Sequence, residues 1–311
     1  MLFNIYRSII MNNNNYGFVF NDISIIDNLF IKKSKNSLGK YKINNEISFY
    51  LYIINNNIQF NMPNLIKQSD GEIVLEFIEN SNILTYKIDK TNYIFYVNKI
   101  REQLNILHSS KINISPFALK NDLQIEIKTK IIDRYNEFNW NSNSLFKSIT
   151  SVNNFQIQNI LYYCDIIQEK IFKYLNERYY YNLIHGDTHL GNILIDENEK
   201  LYFIDPRGFF GETKLFGLHE YDYAKLLFGL SGYSIFDNIN IDELEITDNN
   251  LNINFIREYE YIFESNLFDN ITKLLCLTIW LGNNSCFINI NKKITSLMIA
   301  FYYCEKYLNL F

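Results

Sequence analysis

Apolar and polar residues alternate over 2–10, 17–20 and 25–32, with Asn-rich turns between the runs and Gly17 in the first. That two-residue period is the signature of strands. From 40 to 54 the period lengthens, and Ile43, Ile47, Tyr50 and Ile54 recur at helical spacing. Met62-Pro63-Asn64 interrupts the chain, and Glu72–Ile78 returns to strand character. The chain up to residue 78 thus reads as a small β-sheet with one helix on it. Beyond about residue 90 the pattern is mainly helical. Tyr93–His108 is one expected helix and Phe155–Leu175 another, the latter with Ile157, Ile160, Leu161, Cys164, Ile167, Ile171 and Leu175 as a continuous apolar face. Short strands are expected at 192–196 and 201–205, then helices at 220–230, 254–268, 270–282 and 293–308. The simplest division falls near 78–82, giving domains 1–78 and 79–311, with no internal repeat and no long Pro/Gly/Ser linker.

Composition narrows the function classes. The chain has 311 residues, 48% of them hydrophobic, enough for a sizeable core and a length suited to about two domains. Its net charge of -5 at pH 7 argues against a general nucleic-acid or anionic-membrane binder, since both need a basic face. The Asn runs at 12–15 and 55–57 read as compositional bias without functional weight. Cys164, Cys276, Cys286 and Cys304 form no C-x-x-C pair and sit among apolar residues, as reduced structural thiols do. No Cys/His pattern suggests zinc. Met1–Met11 lacks a signal-peptide core, and the longest apolar run, Leu274–Leu281, is far short of a bilayer span. A soluble cytoplasmic protein without membrane insertion is the expectation.

Candidate chemistry concentrates in His185-Gly186-Asp187-Thr188-His189-Leu190-Gly191-Asn192, followed by Ile193–Asp196, a polar turn, and Leu201–Asp205. If the two apolar stretches form a hairpin around Glu197–Lys200, Asp196 faces Leu201 and Asn192 faces Asp205. Directly opposed side chains lie about 4.5–5.5 Å apart at Cβ, so an amide oxygen and a carboxylate meet at the hairpin's open end. A hard divalent cation takes such oxygens, with water and phosphate completing its shell. Asp187 lies five positions before Asn192, close enough to share the centre without holding the metal. It is placed to accept a proton from a substrate hydroxyl. The same spacing of an Asp, an Asn and a second Asp occurs in the phosphoryl-transfer template.

His185-Gly186-Asp187-x-His189-x-x-Asn192 with Ile204-Asp205 resembles the signature of the aminoglycoside phosphotransferase and choline kinase superfamily. The resemblance implies an α+β, bilobal, protein-kinase-like fold, with a small β-rich N-lobe carrying one main helix and a larger, mainly helical C-lobe. It also implies ATP and Mg2+ as cofactors and a small-molecule hydroxyl as acceptor. By the same resemblance Asp187 is the catalytic base, Asn192 and Asp205 are the magnesium ligands, and His185 orients the loop. Asp222, in Glu220-Tyr221-Asp222-Tyr223-Ala224-Lys225-Leu226, resembles the buried helix Asp that holds that loop. Ile204-Asp205-Pro206-Arg207-Gly208 is similar to a bacterial subgroup associated with capsule or other surface-polysaccharide synthesis. Arg207 there either contacts a phosphate or substrate acid, or pairs with Glu212 or Asp222. His189 is read as a loop-packing histidine or a phosphate contact.

Such an enzyme needs a lysine on the phosphates, held by an acidic residue on the following helix. Leu29-Phe30-Ile31-Lys32-Lys33 offers two. Strand alternation puts Lys32 on the face of Phe30 and Lys33 on that of Ile31, and periodicity does not choose between them. Position relative to the apolar run, as in the family, favours Lys32. Glu46 falls on the apolar stripe of its helix, where a carboxylate needs a partner. Ile73–Ile78 looks like the connection between lobes, whose backbone around Glu76 to Ile78 takes the adenine edge in this fold. The phosphate-covering loop is expected within Ile10–Gly17, without a G-x-G-x-x-G motif.

A full protein kinase is excluded, because Asp205 and Asp222 are too close for an activation segment with an Ala-Pro-Glu anchor. The alternative from another class is a pseudokinase acting as a nucleotide-binding or scaffold module, which needs none of these groups together. The acceptor is a sugar, an amino alcohol or an aminoglycoside-like molecule. Trp280 and Tyr302 suit either a choline cage or core packing. Glu258, Glu260 and Glu264 suit either an acidic pocket or an exposed helix face.

Overall fold

The computed structural model describes residues 20–175 and 177–311. The strand runs expected over 2–10 and most of 17–20, and the phosphate-covering loop over Ile10–Gly17, lie outside them. The chain divides into two compact units. One comprises 1–111, 182–209 and 214–217, and the other 112–181, 210–213 and 218–311. Both contain helices and strands.

The first unit begins with a hairpin of β1 (Asn21–Ile26) and β2 (Leu29–Ser34). Asp27 and Asn28 form its two-residue turn, both with positive φ (48° and 62°), as a hairpin matched to strand twist requires. The single run expected over 25–32 is therefore split. Asp and Asn tolerate the left-handed region, and they reverse the chain where period alone reads on. The helix α1 (Ser37–Asn55) starts at Asn36, whose side chain accepts from the Gly39 N–H. β3 (Leu65–Ser69) and β4 (Glu72–Glu76) complete an antiparallel sheet in the order β1-β2-β4-β3. β3 shows no alternation in its sequence because it is an edge strand, exposed at all but its first residue.

Ile43, Ile47 and Tyr50 of α1 pack on Ile73 and Leu75 of β4. The fourth member of the stripe is Ile53, 3% exposed, and not Ile54, which is 48% exposed. After Tyr50 the inward direction falls three residues on, within the drift a 3.6-residue period allows. β5 (Asn82–Ile83) and α2 (Tyr93–His108) follow. β5 pairs antiparallel with β6 (Ile193–Ile195), which pairs in turn with β7 (Leu201–Phe203).

In the second unit, α3 (Pro116–Gln124) continues into a π-helical turn at Ile125–Thr129. α4 (Ile160–Tyr174) starts only at Ile160, capped by Asn159, because Phe155–Gln156 is a short strand. Its buried face is Ile160, Tyr163, Cys164, Ile167 and Ile171, while Leu161 points outward at 48% exposure. α5 (His219–Phe228), α6 (Asn270–Leu281) and α7 (Ile290–Tyr307) build the core around Trp280. The helix expected over 254–268 is instead a 3₁₀ turn, Phe255–Tyr259, and one short helix, Glu260–Glu264. No helix of the described residues is long and apolar enough to cross a membrane. All four cysteines are free thiols, and burial pushes the Cys164 thiol up to about 12.

Two buried carboxylates one turn apart fix a tight loop in this unit. Asp122 accepts from the Glu212 N–H and the Thr213 hydroxyl, both at 2.7 Å, and Glu126 accepts from the Gly211 N–H at 3.1 Å. Gly211 has φ +59°, and a Cβ there would lie 2.5 Å from the Asp122 Cα. Gly211→Ala is therefore expected to cost about 2–4 kcal/mol in urea unfolding. Gly282→Ala, with φ -87° and nothing nearer than 3.5 Å, should stay within about 0.5 kcal/mol of the parent.

Candidate active site

The first unit contains an open cleft of about 210 Å³. Ile23, Phe30, Ile78, Ile83, Leu194 and Ile204 line it together with the polar Lys32, Glu46, Asn192 and Asp205. Phe30 and Lys32 reach it together because alternate residues of β2 share a face.

Lys32 is the organising cation. Its Nζ lies 2.8 Å from Glu46 Oε2 and also binds Asp205 Oδ1. The Lys32 and Glu46 side chains are 9% and 2% exposed, whereas Asp205 is 56% exposed. Lys33 takes the outer face, 67% exposed and 3.7 Å from Glu72. The alternation that left two lysines open is thus decided by which face of β2 meets α1. Burial pulls the Lys32 pKa down, but Asp205 and then Glu46 outweigh it, and the net shift is upward. For Glu46 burial dominates. Lys32 pulls its carboxyl down, yet it stands at about 7.

The loop at 185–192 is held by its own backbone and by α1. His185 is fully buried between the rings of Phe49 and Phe203, at 5.9 and 6.1 Å. Its carbonyl accepts from the Arg207 N–H at 2.8 Å, and its Nδ1 accepts from the Asp187 N–H at 3.3 Å. The Asp187 carbonyl accepts from Asn192 Nδ2 at 2.9 Å. His189 packs within the loop, its Nδ1 accepting from the Gly191 N–H and its Nε2 lying 3.9 Å from Asp187 Oδ2. The Asp187 side chain is 30% exposed.

The hairpin register differs by one residue from the sequence expectation. Ile193 faces Phe203 and Ile195 faces Leu201, so Asn192 comes opposite Ile204, whose N–H donates to the Asn192 carbonyl. Asp196 shortens the loop by accepting from the Asn198 and Lys200 N–H groups at 2.9 and 2.8 Å, and Glu199 turns at φ +59°. Asp205 lies one residue past the pairing, at φ +57°, and both it and Asn192 line the cleft.

These two side chains suit a hard divalent cation. Asn192 Nδ2 is spent on Asp187, which leaves Oδ1 as the amide's ligand atom, and Asp205 adds a carboxylate. Among the described residues no group of three or more His, Cys, Asp or Glu could hold a metal, so any ion here draws its remaining ligands from phosphate and water.

The other expected residues fall as follows. Glu76 and Ile78 line the cleft. The Glu76 N–H donates to the Asn64 carbonyl and the Phe77 N–H to the Asn28 carbonyl, whereas the Ile78 N–H forms no hydrogen bond among the described residues. Arg207 lays its guanidinium 4.0 Å over the Phe209 ring. Glu212 accepts from Asn121 at 3.0 Å. Asp222 belongs to the second unit, fully buried in the first turn of α5. There, too, Trp280 is a core residue, donating to Ser231 Oγ at 2.9 Å, and Glu260 binds Tyr302 and Lys306. Neither arrangement forms an aromatic cage. Sequence reasoning did not single out Asn21, Ile23, Ile83, Leu194 and Ile204 as cleft residues. Apolar residues are common throughout the chain, and the pairing of β5 with β6, which sets Ile83 opposite Leu194, is not signalled by either segment alone.

The raised pKa of Glu46 fixes a pH dependence. Its folded-state value exceeds the ordinary 4.5, so the folded protein binds the extra proton between about 4.5 and about 7. Stability from this group is complete below that window and lost as pH rises through it. Relative to Glu46→Gln, the parent should lose on the order of 2–3 kcal/mol between pH 5 and pH 8, measured by urea unfolding at both.

No family model matches the chain, and no curated protein does. Solved structures do match. Choline kinase from Cryptosporidium parvum superposes with a TM-score of 0.52 at 14% identity, covering 94% of this chain and 91% of that one. The gentamicin–APH(2″)-IIa complex gives 0.50 at 15% identity, over 96% and 93%. A choline/ethanolamine kinase family protein from Mesorhizobium loti gives 0.50 at 13%, over 93% and 85%. The chain has the mixed α and β fold of these proteins.

Proposed function

We propose that this chain is an ATP- and Mg2+-dependent small-molecule kinase that transfers the γ-phosphate to a hydroxyl of a small metabolite. The observation that carries the reading is Lys32, a buried cation between the helix carboxylate Glu46 and the strand-end carboxylate Asp205, on a cleft shared with Asn192. Titratable groups perturbed by burial and by a specific charge partner, gathered in a mostly apolar cleft, are a mark of functional sites.

In this reading the adenine lies among Ile23, Phe30, Ile83 and Leu194, with its edge on the Glu76 carbonyl and the Ile78 N–H. The phosphates extend to Lys32, which Glu46 holds in place. Asn192 and Asp205 hold the magnesium ion, which supplies charge neutralisation on the phosphates. Asp187 accepts the acceptor's hydroxyl proton as the oxygen bonds to the γ-phosphorus and the bond to ADP breaks. His185 fixes the loop, and Asp222 is the proposed supporting residue of the same machinery. The lobe division at 1–78 and 79–311, a cytoplasmic location and a place in surface-polysaccharide precursor synthesis belong to the same proposal. The last rests on Asp205-Pro206-Arg207-Gly208, with Arg207 meeting an acidic group of the acceptor.

Two measurements test this reading. ATP should raise the melting temperature with magnesium present and much less without it. A panel of sugars, amino alcohols and aminoglycosides then identifies the acceptor by ATP consumption. Asp205→Ala is expected to abolish turnover with any acceptor found. Asp187→Asn should fold, bind MgATP at parental affinity by calorimetry, and turn over about 10²–10⁴-fold more slowly. Affinity collapsing together with turnover in Asp187→Asn would make Asp187 a ligand or prop. No magnesium-dependent response in the parent would leave the scaffold reading.

A further inference from the structure

The lining of the cleft includes one polar side chain that the mechanism above leaves unused. Asn21, the first residue of β1, lines the cleft and is 5% exposed. Its Oδ1 has no hydrogen-bond partner among the described residues. A buried polar group without a partner destabilises a fold, so its presence calls for a reason. Asn45 Nδ2 and the Tyr50 hydroxyl on α1 are likewise unpaired, but neither residue lines the cleft. Asn21 is also held in place on both sides. The Phe20 carbonyl before it accepts from the Lys35 N–H at 2.8 Å, and Asn21 pairs with Ser34 across the β1–β2 ladder. Against α1, a Cβ on Gly39 would lie 2.2 Å from the Phe20 carbonyl oxygen and 2.8 Å from Asn21 Oδ1, so a glycine lets the first turn of the helix close on this strand end.

The strand register says which part of a ligand Asn21 meets. Asn21 and Ile23 share a face of β1. Ile23 stands opposite Lys32, and Ile25 opposite Phe30. On the other side of β2, Leu29 stands opposite Glu76 and Phe30 opposite Leu75. Levels along the sheet therefore run from Glu76, past Phe30 and then Lys32, to Asn21, with the last two about 7 Å apart. A nucleotide with its base edge at Glu76 and its phosphates on Lys32 carries its last phosphate toward Asn21. A carboxamide suits that neighbour. It has two N–H donors and no charge to repel an anion, and an N–H bond to a phosphate oxygen is stronger than one between neutral groups.

We propose that Asn21 is a nucleotide-binding residue whose side-chain amide donates to the terminal phosphate of a bound triphosphate, and so favours ATP over ADP. This inference rests on the kinase reading. The test compares Asn21→Ala and Asn21→Leu in the full chain, two apolar replacements of different volume. ATP and ADP affinities are measured by calorimetry at saturating magnesium, and thermal unfolding is measured without ligand. Both variants should bind ATP about 10–100-fold more weakly, as expected for losing a hydrogen bond to a charged group. Both should bind ADP as the parent does, and Asn21→Leu should melt at or above the parent's temperature. Parental ATP affinity in both variants, or equal losses for ATP and ADP, overturns the role of Asn21 alone. A parent protein that binds no MgATP overturns the kinase reading and this inference together.

Discussion

A cation buried between two carboxylates constrains everything around it. Removing Lys32 and Glu46 from water costs several kcal/mol per ion, and their attraction recovers this only in one geometry. That geometry needs β2 and α1 in a fixed register. A slip of β2 by one residue would put Lys33 inside and Lys32 in solvent, and would turn Phe30 away from the cleft. It also needs the chain at 204–209 against α1, where Gly208 approaches the Asn45 carbonyl so closely that a Cβ would sit 2.8 Å from it. The ion cluster is thus better described as a device for specificity than as a source of stability.

Much of this was legible in the sequence because it rests on strong local signals. The helix at 93–108 was placed by period alone, and α1 was placed to within a few residues. A carboxylate on an apolar helix face, as at Glu46, announces a buried partner whatever the fold. The segment at 185–205 combined unusual residues at fixed spacing; Asn192 and Asp205 line the cleft, whereas Asp222 lies in the other unit.

What was not legible depended on choices that sequence leaves degenerate. The β6–β7 register differs by one residue because Asp196 accepts two backbone N–H groups and Glu199 adopts positive φ, the latter a conformation that a glutamate does not signal. The lysine pair was ambiguous because both faces of β2 carry apolar neighbours, and only the position of α1 breaks the tie. Tyr50 was read as one more member of an apolar stripe, since period counts its ring and ignores its hydroxyl. The break at 255–264 follows no proline or glycine, and we have no physical account of it.

Asparagine and aspartate, common enough in this chain to look like compositional noise, carry many of its turns among the described residues, Asn57 of the run at 55–57 included. Of the eleven non-glycine residues with positive φ among those described, nine are Asn or Asp, including Asp27, Asn28 and Asp205. The chain has only 11 glycines. Its reversals are therefore made by side chains that restrict the unfolded backbone more than glycine does, so each turn surrenders less disorder on folding. Replacing these positions by glycine would preserve every native angle and yet loosen the protein, through the state in which none of those angles exists.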